Sequence, residues 1–369
     1  MRDRTMRDWK PQAKFTSRRI RIMKIDKERV RSILFITLSN LGDIILTIPV
    51  LEKLRHGFPE AYIDVITGAP GKDIFVSYPA VREVAVPKKP RSFGKRMLQI
   101  IELRRRRYDL VVDLKNSLVP YVIGARFHSR LFVSLMNGRD LPGSGRISPV
   151  RHKKEEHLSR LLGLGIDPLF DAGFFIPVTD EEKSRVTEMM DSGEGKKAVI
   201  LNPGAKSHLK RWDAVKYAGL ADRLVSELGC RVFVTGSDED RETVQWVTSR
   251  MKRPVMDLCC RTSIGALLEL MSRVDLVITN DSAPLHVASA AGVPTIAVFG
   301  PSDERKYGPL AERSIVVKPG VSCRPCGRAR CARGRVNGCI SGVEIDEVFQ
   351  AARELLEGEN RRQYGRDSH

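Results

Sequence analysis

Residues 32–68 read SILFITLSNLGDIILTIPVLEKLRHGFPEAYIDVITG, and this stretch decides the fold. SILFITL (32–38) is a short, apolar, β-rich run that ends in the small turn Ser39-Asn40-Leu41-Gly42. From Asp43 the apolar residues Ile44, Ile45, Ile48, Leu51 and Leu54 recur near a 3.6-residue period, which predicts a helix. Pro49 lies inside that pattern and is expected to kink it. Phe58-Pro59-Glu60 stops it, and AYIDVITG (61–68) supplies the next strand. Strand, helix, strand of these lengths is a βαβ unit, which implies parallel pairing.

The alternation continues outward. DLVVDL (109–114) reads as a further strand, preceded by a helix over 93–107 with Phe93, Met97, Ile100 and Ile101 on one side. A boundary is expected near 178–196, and beyond it the pattern restarts. AVILNPG (198–204) is a strand ending in a turn. A helix over 213–228, strand 231–236, a helix over 239–251 and a short strand near 255–258 follow. Thr262-Ser263 caps a helix through Met271, DLVITN (275–280) is a strand, DSAPLHVASAAG (281–292) a helix and TIAVFG (295–300) the last strand. A helix over 343–357 closes the chain. The expected architecture is therefore α/β, with two Rossmann-like parallel-sheet domains facing a cleft. Its divisions are a basic, disordered extension (1–30), an N-terminal Rossmann-like domain (31–180), a C-terminal Rossmann-like domain (196–342), a closing helix (343–358) and a flexible tail (359–369).

The 369 residues are 42% apolar and 29% charged, as in globular proteins, with a formal net charge of +18. That excess is concentrated. Residues 1–31 hold twelve Lys/Arg against four Asp/Glu, and residues 88–107 hold nine against one, a net of +8 in each. Such patches suit a polyanion or an anionic membrane surface, or simply a solvated face. No apolar run approaches the ~20 residues of a membrane span, and the opening residues lack an apolar leader core. The expectation is a cytoplasmic protein that touches the inner face of the cytoplasmic membrane. Basic amphipathic helices of the 93–107 kind can lie on anionic lipid, so Arg104, Arg105 and Arg107 are candidates for acceptor or membrane contact.

In open parallel sheets, ligands bind at the carboxyl ends of strands, which selects four loops. In TNDSAPLHVASAAG, a helix opens at Asp281-Ser282-Ala283 with Pro284 in its first turn, a ready anion site; read singly, Asp281 and Ser282 are equally ordinary caps. In NPGAKSHLKRW, Lys206, Ser207 and Lys210 could face a diphosphate, or form a merely basic loop. In VTGSDEDRE, one of Asp238, Glu239 and Asp240 could accept from ribose hydroxyls, or they could serve a helix start. In SNLGD, Gly42 permits a tight turn, and Asp43 is a general base or an N-cap.

ILFITLSNLGDIILTIPVLEKLRHGFPEAYIDVI, NPGAKSHLKRW and ITNDSAPLHVASAAGVPTIAVFGPSD occur in this order, and together they resemble glycosyltransferase family 9, the lipopolysaccharide heptosyltransferases. The resemblance spans about residues 31–357. It implies a GT-B fold, an ADP-heptose donor held mainly by the C-terminal domain, and inverting transfer to a lipopolysaccharide inner-core or lipid A precursor. It also implies Asp43 as the base, Lys210 on phosphate, and Asp281, Ser282 and Ala283 on the diphosphate with His286 one turn on. Asp238 or Asp240 would take the ribose and Thr262 would lie near the nucleobase. Some members carry hydroxyls where this chain has Ala205 and Lys206. No cofactor is expected for catalysis.

Cys323, Cys326, Cys331 and Cys339 could hold a structural zinc, remain free thiols or form a loop disulfide. Two rivals remain alongside the family reading: transfer of another sugar in surface-polysaccharide synthesis, and nucleic-acid binding. The second lacks any recognised motif or aromatic–basic interleaving, and no nucleic-acid partner is expected.

Overall fold

The computed structural model describes residues 25–87, 93–129, 152–164, 166, 173–190, 195–328, 330–334 and 338–363. The 1–30 extension and the 359–369 tail fall largely outside these residues.

The first sheet is built by β1 (Ser32–Ile36), α1 (Leu41–Gly57), β2 (Tyr62–Ile66), α2 (Lys72–Val76), β3 (Val81–Ala85), α3 (Phe93–Arg105), β4 (Leu110–Asp113), α4 (Val119–Ile123) and β5 (Phe127–His128), with α5 (Lys153–Ser159) following. The second uses β6 (Ala198–Asn202), α7 (Ala214–Leu228), β7 (Arg231–Val234), α8 (Arg241–Thr248), β8 (Met256–Asp257), α9 (Ile264–Ser272), β9 (Leu276–Asn280), α10 (Ala283–Ala291), β10 (Thr295–Val298), α11 (Glu304–Tyr307), β11 (Ser314–Val317) and α12 (Ile345–Gln363). Between them, α6 (Asp180–Met190) packs on α9. The strand orders are β3-β2-β1-β4-β5 and β11-β10-β9-β6-β7-β8, all parallel.

Both sheets are covered on both faces, so β1, β4, β6, β9 and β10 are buried along their whole length and carry unbroken apolar runs. In the first sheet, Ile33, Phe35 and Val112 face α1, while Leu34, Ile36 and Val111 face Leu103 of α3 and Val119 and Ile123 of α4. The α1-side cluster continues through Val287 and Ala288 of α10 and Ala266 and Leu270 of α9, so it spans both sheets.

Several details differ from the sequence expectation. TIAVFG is not the last strand, because β11 follows it and pairs with β10. β3 was not anticipated, since VREVA is a half-exposed edge strand with charges at two of five positions. α1 runs as one helix through Pro49. In α3, Leu103 packs inward while Ile101 faces solvent, so the helix is rotated from the expected apolar side.

Candidate functional site

In the first sheet the chain leaves β1 toward β2 and leaves β4 toward β5. In the second it leaves β6 toward β7 and β9 toward β10. The crevices between β1 and β4 and between β6 and β9 are therefore the switch points where ligands bind. The loops at these points carry most of the predicted residues, and α1 and α10, which start there, pack directly on one another.

Asn280, at the end of β9, organises the second crevice. Its side chain is fully buried, a position an amide tolerates only when both its ends are bonded. Its Oδ1 accepts from the Trp212 backbone N–H (3.1 Å) and the Tyr217 hydroxyl (3.2 Å). Its Nδ2 donates to the carbonyls of Pro203 (2.8 Å) and Gly204 (3.2 Å). One side chain thus fixes both ends of the 203–212 loop. Gly204 is required because a Cβ there would lie 2.2 Å from Cγ of Asp240.

That loop presents Lys210. Its Nζ lies 2.7 Å from Oδ2 of Asp281, whose side chain is 5% exposed. Among the described residues no side chain caps α10: Ser282 occupies the N-cap position with extended backbone, and Pro284 lies in the first turn. His286, one turn in, is buried, and its Nδ1 has no hydrogen-bond partner in the described structure. Burial pushes its pKa down to about 4; Asp281 opposes this shift, and His152 and Lys210 reinforce it. The ring is neutral at physiological pH.

Across the cleft, α1 meets α10 at Gly42. A Cβ on Gly42 would stand 3.1 Å from Cδ2 of His286 and 3.5 Å from Cα of Ala283. The glycine is thus needed for close approach of two helices rather than for the tight turn expected from the sequence. Asp43 follows in the first turn of α1, where the helix dipole favours its charge, and the N-cap position belongs to Asn40. Asn40 Nδ2 donates to Asp43 Oδ2 (3.0 Å), and Lys206 Nζ donates to Asn40 Oδ1 (3.0 Å). Lysine can only donate and a carboxylate can only accept, so the two ends fix the amide's orientation. This chain runs from the 203–212 loop of one sheet to the helix start of the other.

Tyr307 of α11 feels the charge of both the Asp43 and the Asp281 carboxylates. Burial raises its phenol pKa, Lys153 of α5 lowers it, and the Asp43 and Asp281 carboxylates raise it further. The Lys210 ammonium stands 5.9 Å from the centre of the Tyr307 ring. His152 donates from Nε2 to the Gly308 carbonyl (3.1 Å) while its Nδ1 accepts from the Lys154 N–H, so its tautomer is set. Asn40, Lys153, Tyr307 and Asn280 were missed from sequence. Asn40 stood inside a quoted motif but read as turn filler, and Tyr307 and Lys153 belong to no local pattern.

The remaining predicted residues divide. Asp240 accepts from the Ser237 N–H (3.1 Å) and hydroxyl (2.6 Å) in a capping box, whereas Asp238 is exposed and pairs with Arg241 (2.9 Å). Ser207 and Thr262 are half-buried beside the starts of short helices. Arg104, Arg105 and Arg107 are exposed and lie apart from the cleft on and just after α3. Arg106 turns inward to Glu83 and to Asp64, which also holds Arg82 (2.6 Å) and Tyr108 (2.6 Å). The four C-terminal cysteines form no disulfide among the described residues and line one cavity of about 180 Å³ with Leu209 and Pro301. Among the described residues no three His, Cys, Asp or Glu side chains are grouped to hold a metal. A second cavity, about 640 Å³, lies between β11 and α12 and involves none of the predicted residues.

Residues 171–337 match the family model described as "Glycosyltransferase family 9 (heptosyltransferase)". The chain carries a glycosyltransferase family 9 region over those residues. Among curated proteins it is similar to lipopolysaccharide heptosyltransferase 3 of Escherichia coli K12, 27% identical over 330 residues, 85% of this chain and 95% of that one. It is also similar to lipooligosaccharide heptosyltransferase 2 of Campylobacter jejuni, 24% identical over 324 residues, 86% and 95% of the two chains. A family 9 glycosyltransferase structure from Veillonella parvula superposes with a TM-score of 0.71 at 27% identity, covering 89% of this chain and 97% of that one. The E. coli ADP-heptose heptosyltransferase II structure gives 0.68 at 24% identity, covering 89% and 99%. The GT-B arrangement of this glycosyltransferase agrees with those folds. No helix among its described residues is long and apolar enough to cross a membrane.

Proposed function

We propose that this glycosyltransferase moves a heptose from ADP-heptose onto a lipopolysaccharide inner-core or lipid A precursor, with inversion at the anomeric carbon. The observation carrying this reading is that Asp43, from one sheet, is tied through Asn40 to Lys206 of the 203–212 loop, the same loop of the other sheet that presents Lys210 to Asp281. The names of its relatives support the donor and acceptor.

In this mechanism Asp43 takes the proton of the acceptor hydroxyl through the oxygen that Asn40 leaves free. The hydroxyl oxygen bonds to the anomeric carbon as the carbon–oxygen bond to the diphosphate breaks, and ADP leaves from the opposite face. Lys210 and the amides opening α10 neutralise the charge that develops on the diphosphate. Lys206 and Ser207 flank the diphosphate, Asp238 or Asp240 takes the ribose, and Thr262 borders the adenine. The acceptor, a phosphorylated lipid-linked saccharide, is met by the other domain on the inner face of the cytoplasmic membrane.

Mass analysis of products from purified protein, ADP-heptose and a defined acceptor tests the reaction. Asp43→Asn is expected to keep the fold and ADP binding while lowering turnover by ~10²–10⁴. Near-normal turnover in that variant would remove Asp43 from the role of base, and failure to transfer heptose from ADP-heptose would remove the donor.

A further inference from the structure

Five large apolar side chains lie exposed on neighbouring elements of one layer: Leu98 (66%) and Ile101 on α3, Leu118 (68%), which precedes α4, and Tyr121 and Val122 on α4. Both helices cover the same side of the first sheet, where Leu103, Val119 and Ile123 pack on Leu34, Ile36 and Val111. At ~100° per residue, Leu98, Ile101 and Arg105 fall on the side of α3 opposite Leu103. The outward faces of α3 and α4 therefore point the same way, away from the protein. Isolated exposed apolar residues need no explanation, but a contiguous group beside unpaired cations marks an interaction surface.

The charges specify the partner. Arg104, Arg105 and Arg107 are exposed beside this patch and form no ion pair among the described residues. Arg106 and Glu102 neutralise one another and, with Glu83 and Asp64, belong to the internal network. Three free cations beside apolar side chains match an anionic bilayer, where arginine meets headgroups and leucine enters the acyl boundary. A second copy of this chain would set arginine against arginine, and a nucleic acid would leave the leucines without a partner. α4 follows the loop 114–118 that borders the first crevice, where Lys115 Nζ bonds Ser39 Oγ (2.8 Å), so the patch runs from the crevice edge at Leu118 to arginines near the opposite, Ser32 end of β1.

We propose that the outward face of α3 and α4 is the membrane-docking surface, inserting Leu98, Ile101, Leu118 and Val122 among the lipids with Arg104, Arg105 and Arg107 on anionic headgroups. The proposal deepens the reading of a lipid-linked acceptor, but its test needs neither donor nor acceptor. Full-length protein is co-sedimented with vesicles of phosphatidylcholine alone and of phosphatidylcholine mixed with phosphatidylglycerol. Wild type should partition only onto the mixed vesicles, and less at high salt. Arg104→Gln/Arg105→Gln/Arg107→Gln should lose on the order of 10²-fold in partitioning, at about fivefold per cation. Leu98→Ser/Leu118→Ser should lose about tenfold or more, with wild-type thermal unfolding because neither residue is buried. Transfer to a water-soluble acceptor fragment should be unchanged in both variants. Wild-type partitioning by either variant overturns the proposal, as does dimeric wild type that becomes monomeric in the Leu98→Ser/Leu118→Ser protein without ever binding vesicles. Loss of transfer to the soluble fragment in wild type would count against the reaction, not against the docking surface.

Discussion

Replacing Lys210 with methionine tests whether the lysine holds the site together before any donor arrives. Lys210 and Asp281 stand 2.7 Å apart, with the aspartate 5% and the lysine 33% exposed at their side chains. At an effective dielectric of about 20 the raw attraction at that distance is about 6 kcal/mol, most of it offset by desolvation. Deleting one partner of a fully buried pair costs about 3–5 kcal/mol, because a bare charge stays behind. The partial exposure of Lys210 screens this, leaving about 2–3 kcal/mol. For a unit of this size that is roughly 5–10 °C in Tm. Lys210→Met should therefore unfold earlier in donor-free calorimetry, and adding Asp281→Asn should restore most of the loss by removing the stranded carboxylate. ADP affinity, read by titration calorimetry, should stay weak in both, since the ammonium is gone from each. If Lys210→Met melts with the wild type, or Asp281→Asn deepens the defect, the pair is not the internal strut inferred here.

Buried His157 and His286 both have pKa values pushed down to about 4 by burial, so the unfolded chain takes up protons first as pH falls. Stability should be full above about pH 6.5 and decline toward pH 4 by about 1.4 kcal/mol per unit for each histidine. Denaturant midpoints measured across that range check this; a slope that His286→Gln leaves unchanged would contradict it. Asn40→Ala removes a hydrogen bond to a charged group and should cut turnover about tenfold or more without altering ADP affinity. Lys206→Met should act in the same direction through Asn40, and additive effects in the double variant would show that the two do not act as one chain.

The sequence revealed the βαβ alternation because buried parallel strands must be apolar on both faces, as β1, β6 and β9 are. It missed β3, whose exposed Arg82 and Glu83 break that pattern, and β5, only two residues long. The strand-end loops were legible because turn residues and cations stand out there. Tertiary partners were not: nothing local says that Asn280 fixes the ends of a loop some seventy residues earlier, or that Gly42 is small to make room for His286. Arg106 differs from its three arginine neighbours only through Asp64 and Glu83, which lie on other strands.

The apolar cluster shared by α1 and α10 limits how this enzyme can open. Ile44, Ile45 and Ile48 on one helix and Val287 and Ala288 on the other belong to one dry seam beneath the cleft. Prising the two sheets straight apart would wet that seam at about 25 cal/mol for each Å² exposed. Sliding one helix along the other keeps it dry, and such shear between packed helices is a common mode of closure. The place where Gly42 touches His286 then acts as a fulcrum. Groups close to it, Asp43 and Ala283, would move little during a cycle, while the α3–α4 face on the far side of its sheet would swing through the larger arc.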